Sequence, residues 1–265
     1  MTTILPFSKY PLLKTLNDTP DRVIAIGDVH GCYKELIELL EKVKPTPNDI
    51  VIQLGDLVDR GPDSHMAVSA MIACSLDTPT HIIMGNHDLK MLRYRQHEEK
   101  RLENPGCKNP VRVSDNFLRS YAQLDSLDLE YIATFPAVIQ WNGFQFMHAG
   151  MIPGVGLRQE LKGLVCNRFV ERKGDKWVCA ASWYKDGKWH HPETSVHWSA
   201  VYTDDIKIVY GHENRSDIHV VNRTYGLDTG VVYGNKLTAM IIDGETKEIT
   251  FETVLARETY IEPME

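Results

Sequence analysis

Three short apolar runs in the first third of the chain each end in glycine followed by a residue able to bind a metal. Val23 to Ile26 leads into Gly27-Asp28-Val29-His30-Gly31. Val51 to Leu54 leads into Gly55-Asp56-Leu57-Val58-Asp59-Arg60-Gly61, and His81 to Met84 into Gly85-Asn86-His87-Asp88. Helical spacing follows the first run, with Leu36, Leu39, Leu40 and Val43 on one face, and ends at Pro45 and Pro47. A second helix carries Met66, Val68, Met71 and Ile72 behind a cap at Asp63 or Ser64. Strand–helix repeats of this length predict an α/β fold with parallel strands covered by helices. In such sheets the functional crevice lies at the carboxyl ends of the strands, where all three motifs fall.

Two later runs end alike: Phe144 to Met147 before His148-Ala149-Gly150, and Ile206 to Tyr210 before Gly211-His212. A lone Asp-x-His pair is ordinary loop chemistry. Five strand ends with ligand-type residues are not. Carboxylate, carboxamide and imidazole groups suit a divalent transition metal such as Mn, Fe or Zn. The motifs run from Asp28 to His212, so one domain, residues 21–256, must hold them all. Residues 1–20, with Pro6, Pro11 and Pro20, read as an irregular lead-in, and 257–265 as a tail.

Residues 88–101 read as a helix whose charge run, Arg93 to Arg101, is a solvated face rather than a rim for a polyanion. Two further helices fit 117–134. Asn142-Gly143 between apolar runs signals a hairpin. Residues 156–200 lack periodicity and read as an irregular, aromatic-rich, cap-like insertion with a hairpin turn at Lys185-Asp186-Gly187-Lys188. Trp177 and Trp198 also lie there, and Trp183, Tyr184 and Trp189 are expected to form a mobile lid. Strands near 206–210, 218–221, 225–227, 237–242 and 248–254 are expected to make a second, antiparallel sheet.

The 265 residues carry a net charge of −7, which argues against a broad nucleic-acid surface. Five cysteines without a C-x-x-C pair read as free thiols in a reducing compartment, hence a cytoplasmic protein. Met1 to Thr19 shows no signal-peptide pattern, and no apolar run is long enough to span a membrane.

Taken in order, the five motifs resemble the set found in calcineurin-like metallophosphoesterases, and more narrowly the phosphoprotein-phosphatase branch. Asp88 and Ala149 stand where eukaryotic protein Ser/Thr phosphatases carry glutamate and usually glycine. The stretch from Tyr225 to Gly234 resembles the C-terminal signature of the ApaH-like phosphatases, relatives of the symmetrical diadenosine-tetraphosphate hydrolases. The resemblance implies a four-layer α/β/β/α sandwich of two mixed sheets, with the active site at the C-terminal strand ends. It also implies two divalent metal ions, manganese first, with iron, zinc or cobalt as alternatives. Asp28 and His30 would hold the first ion, Asp56 would bridge, and Asn86, His148 and His212 would complete the second site. His87 would be the general acid, with its tautomer fixed by Asp59. Arg60 would bind phosphate, joined by Arg168 in Val165-Cys166-Asn167-Arg168.

The implied reaction is phosphoanhydride hydrolysis by a metal-bridged hydroxide. The implied substrate is a phosphorylated small molecule or polyanion: dinucleoside polyphosphate, inorganic polyphosphate or capped RNA. A protein Ser/Thr phosphatase using the same centre is the alternative. A non-catalytic module is disfavoured, because all six ligand positions, the acid and Arg60 are present. His65, His81, His97, His190, His191, His197 and His219 lie off the strand tips and read as surface or packing residues. Asp228 reads as a turn residue before a partner of a metal-bound histidine.

Overall fold

The computed structural model describes residues 12–185 and 188–262. After β1 (Leu13–Leu16), the chain runs β2 (Arg22–Ile26), α1 (Tyr33–Val43), β3 (Ile50–Gln53), α2 (Ser64–Asp77) and β4 (Thr80–Ile82). Strands β2, β3 and β4 are parallel neighbours, as the repeats require. Helix α1 buries Leu36, Leu39 and Val43. The Asp63 carboxylate caps α2 by accepting the Met66 N–H at 3.0 Å.

Helix α3 (Asn86–Glu103) starts at the third motif itself, so Asn86 and His87 occupy its first turn. Its charge run forms local pairs, Arg95–Glu99 and Arg101–Glu98, both at 2.9 Å, the pattern of a solvated face. Helices α4 (Asp115–Ala122) and α5 (Ser126–Ile132) follow, then the hairpin β5 (Val138–Trp141) and β6 (Phe144–Met147). Next come α6 (Leu161–Cys166), β7 (Phe169–Lys173), β8 (Lys176–Cys179), β9 (Trp183–Lys185), β10 (Lys188–His190) and β11 (Val196–His197). The chain closes with β12 (Lys207–Tyr210), β13 (His219–Val221), β14 (Thr224–Gly226), β15 (Lys236–Asp243) and β16 (Ile249–Leu255).

Two mixed sheets result, ordered β16-β15-β2-β3-β4 and β1-β5-β6-β12-β14-β13. Strand alternation sorts their side chains. Val23, Ala25, Ile50 and Ile52 from one sheet meet Ile139, Trp141, Phe144, Phe146 and Val209 from the other in a single apolar layer. Ile24, Ile26 and Val51 face outward into the cluster that holds Leu36, Leu39 and Met71. Val138, Met147 and Ile208 share that cluster with Leu129, Leu164 and Val165 of α5 and α6. The product is a sandwich of two sheets with helices outside.

Four expectations need correction. Residues 13–16, assigned to an irregular lead-in, form an edge strand parallel to β5, while residues 1–11 lie outside the description. The closing strands do not make one antiparallel sheet. β12 runs parallel to both β6 and β14, while β15 and β16 join the first sheet, β15 antiparallel to β2. Residues 257–261, expected only as a C-terminal tail, are docked on α1: the buried Glu35 accepts the Arg257 N–H at 3.0 Å and the Tyr260 hydroxyl at 2.7 Å. Residues 263–265 lie outside the description. Finally, the segment 156–200 contains a helix and two small antiparallel sheets, β11-β7-β8 and β10-β9. The turn at Asp186-Gly187 and the Tyr184 side chain lie outside the described parts.

The tryptophans of that segment divide sharply. Trp183 and Trp189 are 46% and 54% exposed. Trp198 is fully buried, its ring 5.1 Å from that of Tyr210 and 5.8 Å from that of Tyr202, and it closes against Gly150, where any Cβ would collide with the indole. Trp198→Ala should therefore lower the unfolding free energy by about 3–5 kcal/mol. Trp189→Ala should change it by about 0.5 kcal/mol. Urea titration of the two variants checks this, and equal losses would remove Trp198 from the core.

Candidate metal centre

The carboxyl ends of β2, β3, β6 and β12 are stitched together by backbone hydrogen bonds. The Val29 and His30 N–H groups donate to the Asp56 carbonyl at 3.2 and 2.8 Å, and the Gly211 N–H donates to the His148 carbonyl at 3.0 Å. This crowding selects glycine, as Gly85 and Gly211 show. A side chain on Gly85 would strike the Asp56 amide and carboxylate, and one on Gly211 would strike the Asp28 carboxylate. The loops are also strained. His30, Asp56, Asp59, Arg60 and His212 have φ of +49°, +53°, +77°, +75° and +72°. Such a conformation costs about 1–3 kcal/mol per residue, and here it aims side chains at one point.

Asp56 lies at that point. Ligand atoms of His30, Asp56 and His87 lie within 4.8 Å of one another, and so do those of Asp56, His148 and His212. Asn86 joins the second group, its Oδ1 3.0 Å from His148 Nε2 and 2.8 Å from His212 Nδ1. The His148 Nδ1–H donates to the Leu54 carbonyl at 2.8 Å, which turns Nε2 towards Asn86 and, at 3.4 Å, Asp56 Oδ1. Likewise His30 Nδ1 meets the Val58 carbonyl at 3.2 Å, and its Nε2 lies 3.6 Å from Asp56 Oδ2. The inward atoms are thus carboxylate oxygens, a carboxamide oxygen and imidazole nitrogens, the donor types that divalent transition metals take. Oxygen and nitrogen donors converging on a shared carboxylate fit a pair of divalent ions. Asp28 belongs to neither group: both its oxygens accept the His212 N–H at 3.0 Å.

Electrostatics point the same way. Asp28, Asp56, Asp88 and Asp228 are all buried around this point. Burial, then the negative charge of Asp228, push the Asp28 carboxyl well above its usual range. Burial also raises Asp228 to about 6 and, with repulsion from Asp56, Asp88 to about 7. Asp56 goes the other way: burial opposes its ionisation, but His148 and His87 hold it well below the ordinary value. Burial disfavours a charged His148, yet Asp56 and Asp28 overcome it and lift the imidazole to about 10. Carboxylates so crowded are costly unless positive charge lies among them.

Around the centre stand the remaining candidates. His87 Nδ1 lies 2.6 Å from Asp59 Oδ2, and the His87 N–H donates to Asp56 Oδ1 at 2.8 Å. Burial alone would raise Asp59, but its bond to His87 holds the carboxyl below the usual range. Arg60 NH1 is 2.9 Å from His30 Nε2, with the guanidinium 5.6 Å from the Tyr233 ring. Arg168 Nε donates to His212 Nε2 at 3.1 Å. The two arginines thus approach from opposite ligand groups. Asp228 Oδ1 accepts the Gly230 N–H at 3.1 Å, which makes its turn, while its charge also acts on Asp28. No other histidine among the described residues joins either group.

Two residues without a sequence-level site signature, Asp88 and Gln53, brace the loops. Asp88 accepts the N–H groups of Gly85, Asp56 and Leu57 at 2.9, 2.8 and 3.1 Å, tying the second motif to the third. Gln53 accepts the Gly55 N–H at 3.0 Å and donates to its carbonyl at 2.8 Å. An acid three residues after a helix N-cap was the available signal for Asp88.

A family model described as calcineurin-like phosphoesterase matches residues 21–216. The chain is 28% identical, over 91% of its length and 94% of the relative's, to the asymmetrical bis(5'-nucleosyl)-tetraphosphatase PrpE of Oceanobacillus iheyensis. It is 29% identical, over 84% of its length and 81% of the relative's, to the symmetrical bis(5'-nucleosyl)-tetraphosphatase of Xanthomonas euvesicatoria. Among solved structures, one of a proposed diadenosine tetraphosphatase superposes with a TM-score of 0.68 at 22% identity, covering 93% of this chain and 99% of that one. Among the described residues no helix is long and apolar enough to cross a membrane.

Proposed function

The chain belongs to the calcineurin-like phosphoesterase family, and from that premise we propose that it hydrolyses phosphoanhydride bonds of dinucleoside polyphosphates. The observation that carries this reading is the convergence of Asp56, Asn86, His148 and His212 on one point between two arginines. The names borne by the relatives supply the substrate class. In this reading Asp28, His30 and Asp56 hold one ion, and Asp56, Asn86, His148 and His212 the other. When bound, the two ions acidify a water for attack and neutralise phosphate charge. Manganese is the metal we favour, with iron, zinc or cobalt as alternatives. The five free cysteines support a reducing, cytoplasmic setting.

Arg60 and Arg168 would grip the phosphoryl oxygens, each with a planar fork suited to two acceptors. His87 would act at the leaving oxygen. Its Nδ1 is committed to Asp59 at 2.6 Å, so the proton is held and delivered at Nε2. Asp59 thereby sets the tautomer and steadies the protonated ring.

The relatives carry both symmetrical and asymmetrical names, so the position of the cut is read from products. Chelated protein should be inactive on diadenosine tetraphosphate, and added Mn²⁺ should restore turnover, with two ADP or AMP plus ATP resolved by chromatography. Full activity in chelator would overturn the metal-dependent reading. Arg60→Ala should lower kcat/KM on that substrate by about 10²–10³-fold, as expected for removal of a donor to developing charge. An unchanged kcat/KM would place Arg60 outside the site.

A further inference from the structure

Beside the centre lies a cavity of about 610 Å³, with Asn86 in its wall. That is the size of a pocket for a nucleotide-sized ligand. Lys90 and Arg93 line it too, four and seven residues beyond Asn86 on α3 and therefore on the same helix face. By helical rise they stand about 6 and 10 Å further along the axis, a ladder of positive charge leading away from the metal ligand. The facing wall is the start of α6, with Leu161, Lys162 and one carboxylate, Glu160. Among the described residues the lining thus carries Lys90, Arg93 and Lys162 beside Glu160.

Lys90 is the unusual member. It is half-buried, with its ammonium 4.4 Å from the centre of the Phe117 ring. Among the described residues its side chain has no hydrogen bond and no ion pair. Burial holds the ammonium below the usual lysine range, against the pull of Asp59. A partly desolvated cation without a counter-ion is unfavourable, and an anion entering the cavity would relieve it.

We propose that this cavity is a leaving-group subsite for the phosphates beyond the scissile bond, and that Lys90 reads their charge. The proposal rests on the anhydride reading above and names what selects a polyphosphate chain. A simple aryl phosphate reaches the metal ligands but has nothing to place beside Lys90. A dinucleoside tetraphosphate fills the ladder, and the apolar Leu161 wall is left for the nucleoside.

The test is a ratio, kcat/KM for diadenosine tetraphosphate over kcat/KM for p-nitrophenyl phosphate, with Mn²⁺. Lys90→Met keeps the aliphatic stem and removes the charge. It should lower the ratio about 10- to 100-fold, the worth of a charge-assisted hydrogen bond. Lys90→Arg should restore most of it. Calorimetry with a methylene-bridged dinucleoside tetraphosphate should show the same loss in Kd. Lys162→Met, at an exposed position where folding is not at stake, should move the ratio in the same direction and decides the matter if Lys90→Met does not fold. Unchanged ratios overturn the subsite and leave the anhydride reading standing. A wild-type enzyme that cleaves the aryl phosphate but no dinucleoside polyphosphate overturns both.

Discussion

Asp56→Asn is expected to abolish turnover, by more than about 10³-fold, while the protein remains folded. Asp56 is the one residue shared by both ligand groups, so the substitution removes a charge from two ion sites at once. The variant keeps nearly everything else. Asparagine tolerates the left-handed backbone at φ +53° as well as any non-glycine residue. Its Oδ1 can still accept the His87 N–H, and its own amide can still donate to Asp88. Circular dichroism and a urea midpoint close to wild type should accompany the loss of activity and of bound metal. Retained activity with two ions bound would remove Asp56 from the bridging role.

His87→Asn is expected to discriminate between leaving groups. A serine side chain leaves as an alkoxide, a strong base that needs a proton in the transition state. A nucleotide leaves as a phosphate whose conjugate acid is already ionised near neutral pH. On a phosphoserine peptide the substitution should cost about 10²–10⁴-fold, the usual worth of a positioned acid. On a dinucleoside polyphosphate it should cost less than about tenfold, since arginine and metal charge suffice to stabilise the departing group. Metal content must be measured in the variant, because His87 adjoins Asn86 in the first turn of α3. Equal losses on both substrates would mean that the His87–Asp59 pair does not deliver a proton to the leaving oxygen.

The strand-tip motifs were legible because they are local. Each couples an apolar run of strand length to a glycine turn, and both signals lie within a few residues. Sheet membership was not, because partner choice is non-local: nothing within 236–255 states that β15 will lie against β2 rather than beside β14. Of the small sheets, the β9–β10 hairpin was announced by its turn residues Lys185 to Lys188, whereas β11-β7-β8 was not, for a related reason. Its strands are two to five residues long and nearly all exposed or half-buried, so no alternation develops to betray them. Trp198 looks like its neighbours in sequence, and only its contacts with Tyr210 and Gly150 separate it from the exposed Trp189. In the site, the ligand-type residues stood out by their place at the strand ends, and their proposed roles came from the family resemblance. Asp88 and Lys90 did not, since what marks them is the amides that converge on one and, among the described residues, the ion pair missing from the other.

The proposed dinuclear centre would be tuned to anhydrides rather than to phosphoprotein esters. The most direct test is kcat/KM of the wild-type enzyme with Mn²⁺ across diadenosine tetraphosphate, capped RNA, long-chain polyphosphate and phosphoserine and phosphothreonine peptides. Diadenosine tetraphosphate is expected to stand above both peptides. A peptide turned over with higher kcat/KM than every anhydride in the panel would contradict the account and make the chain a protein phosphatase built on the same centre.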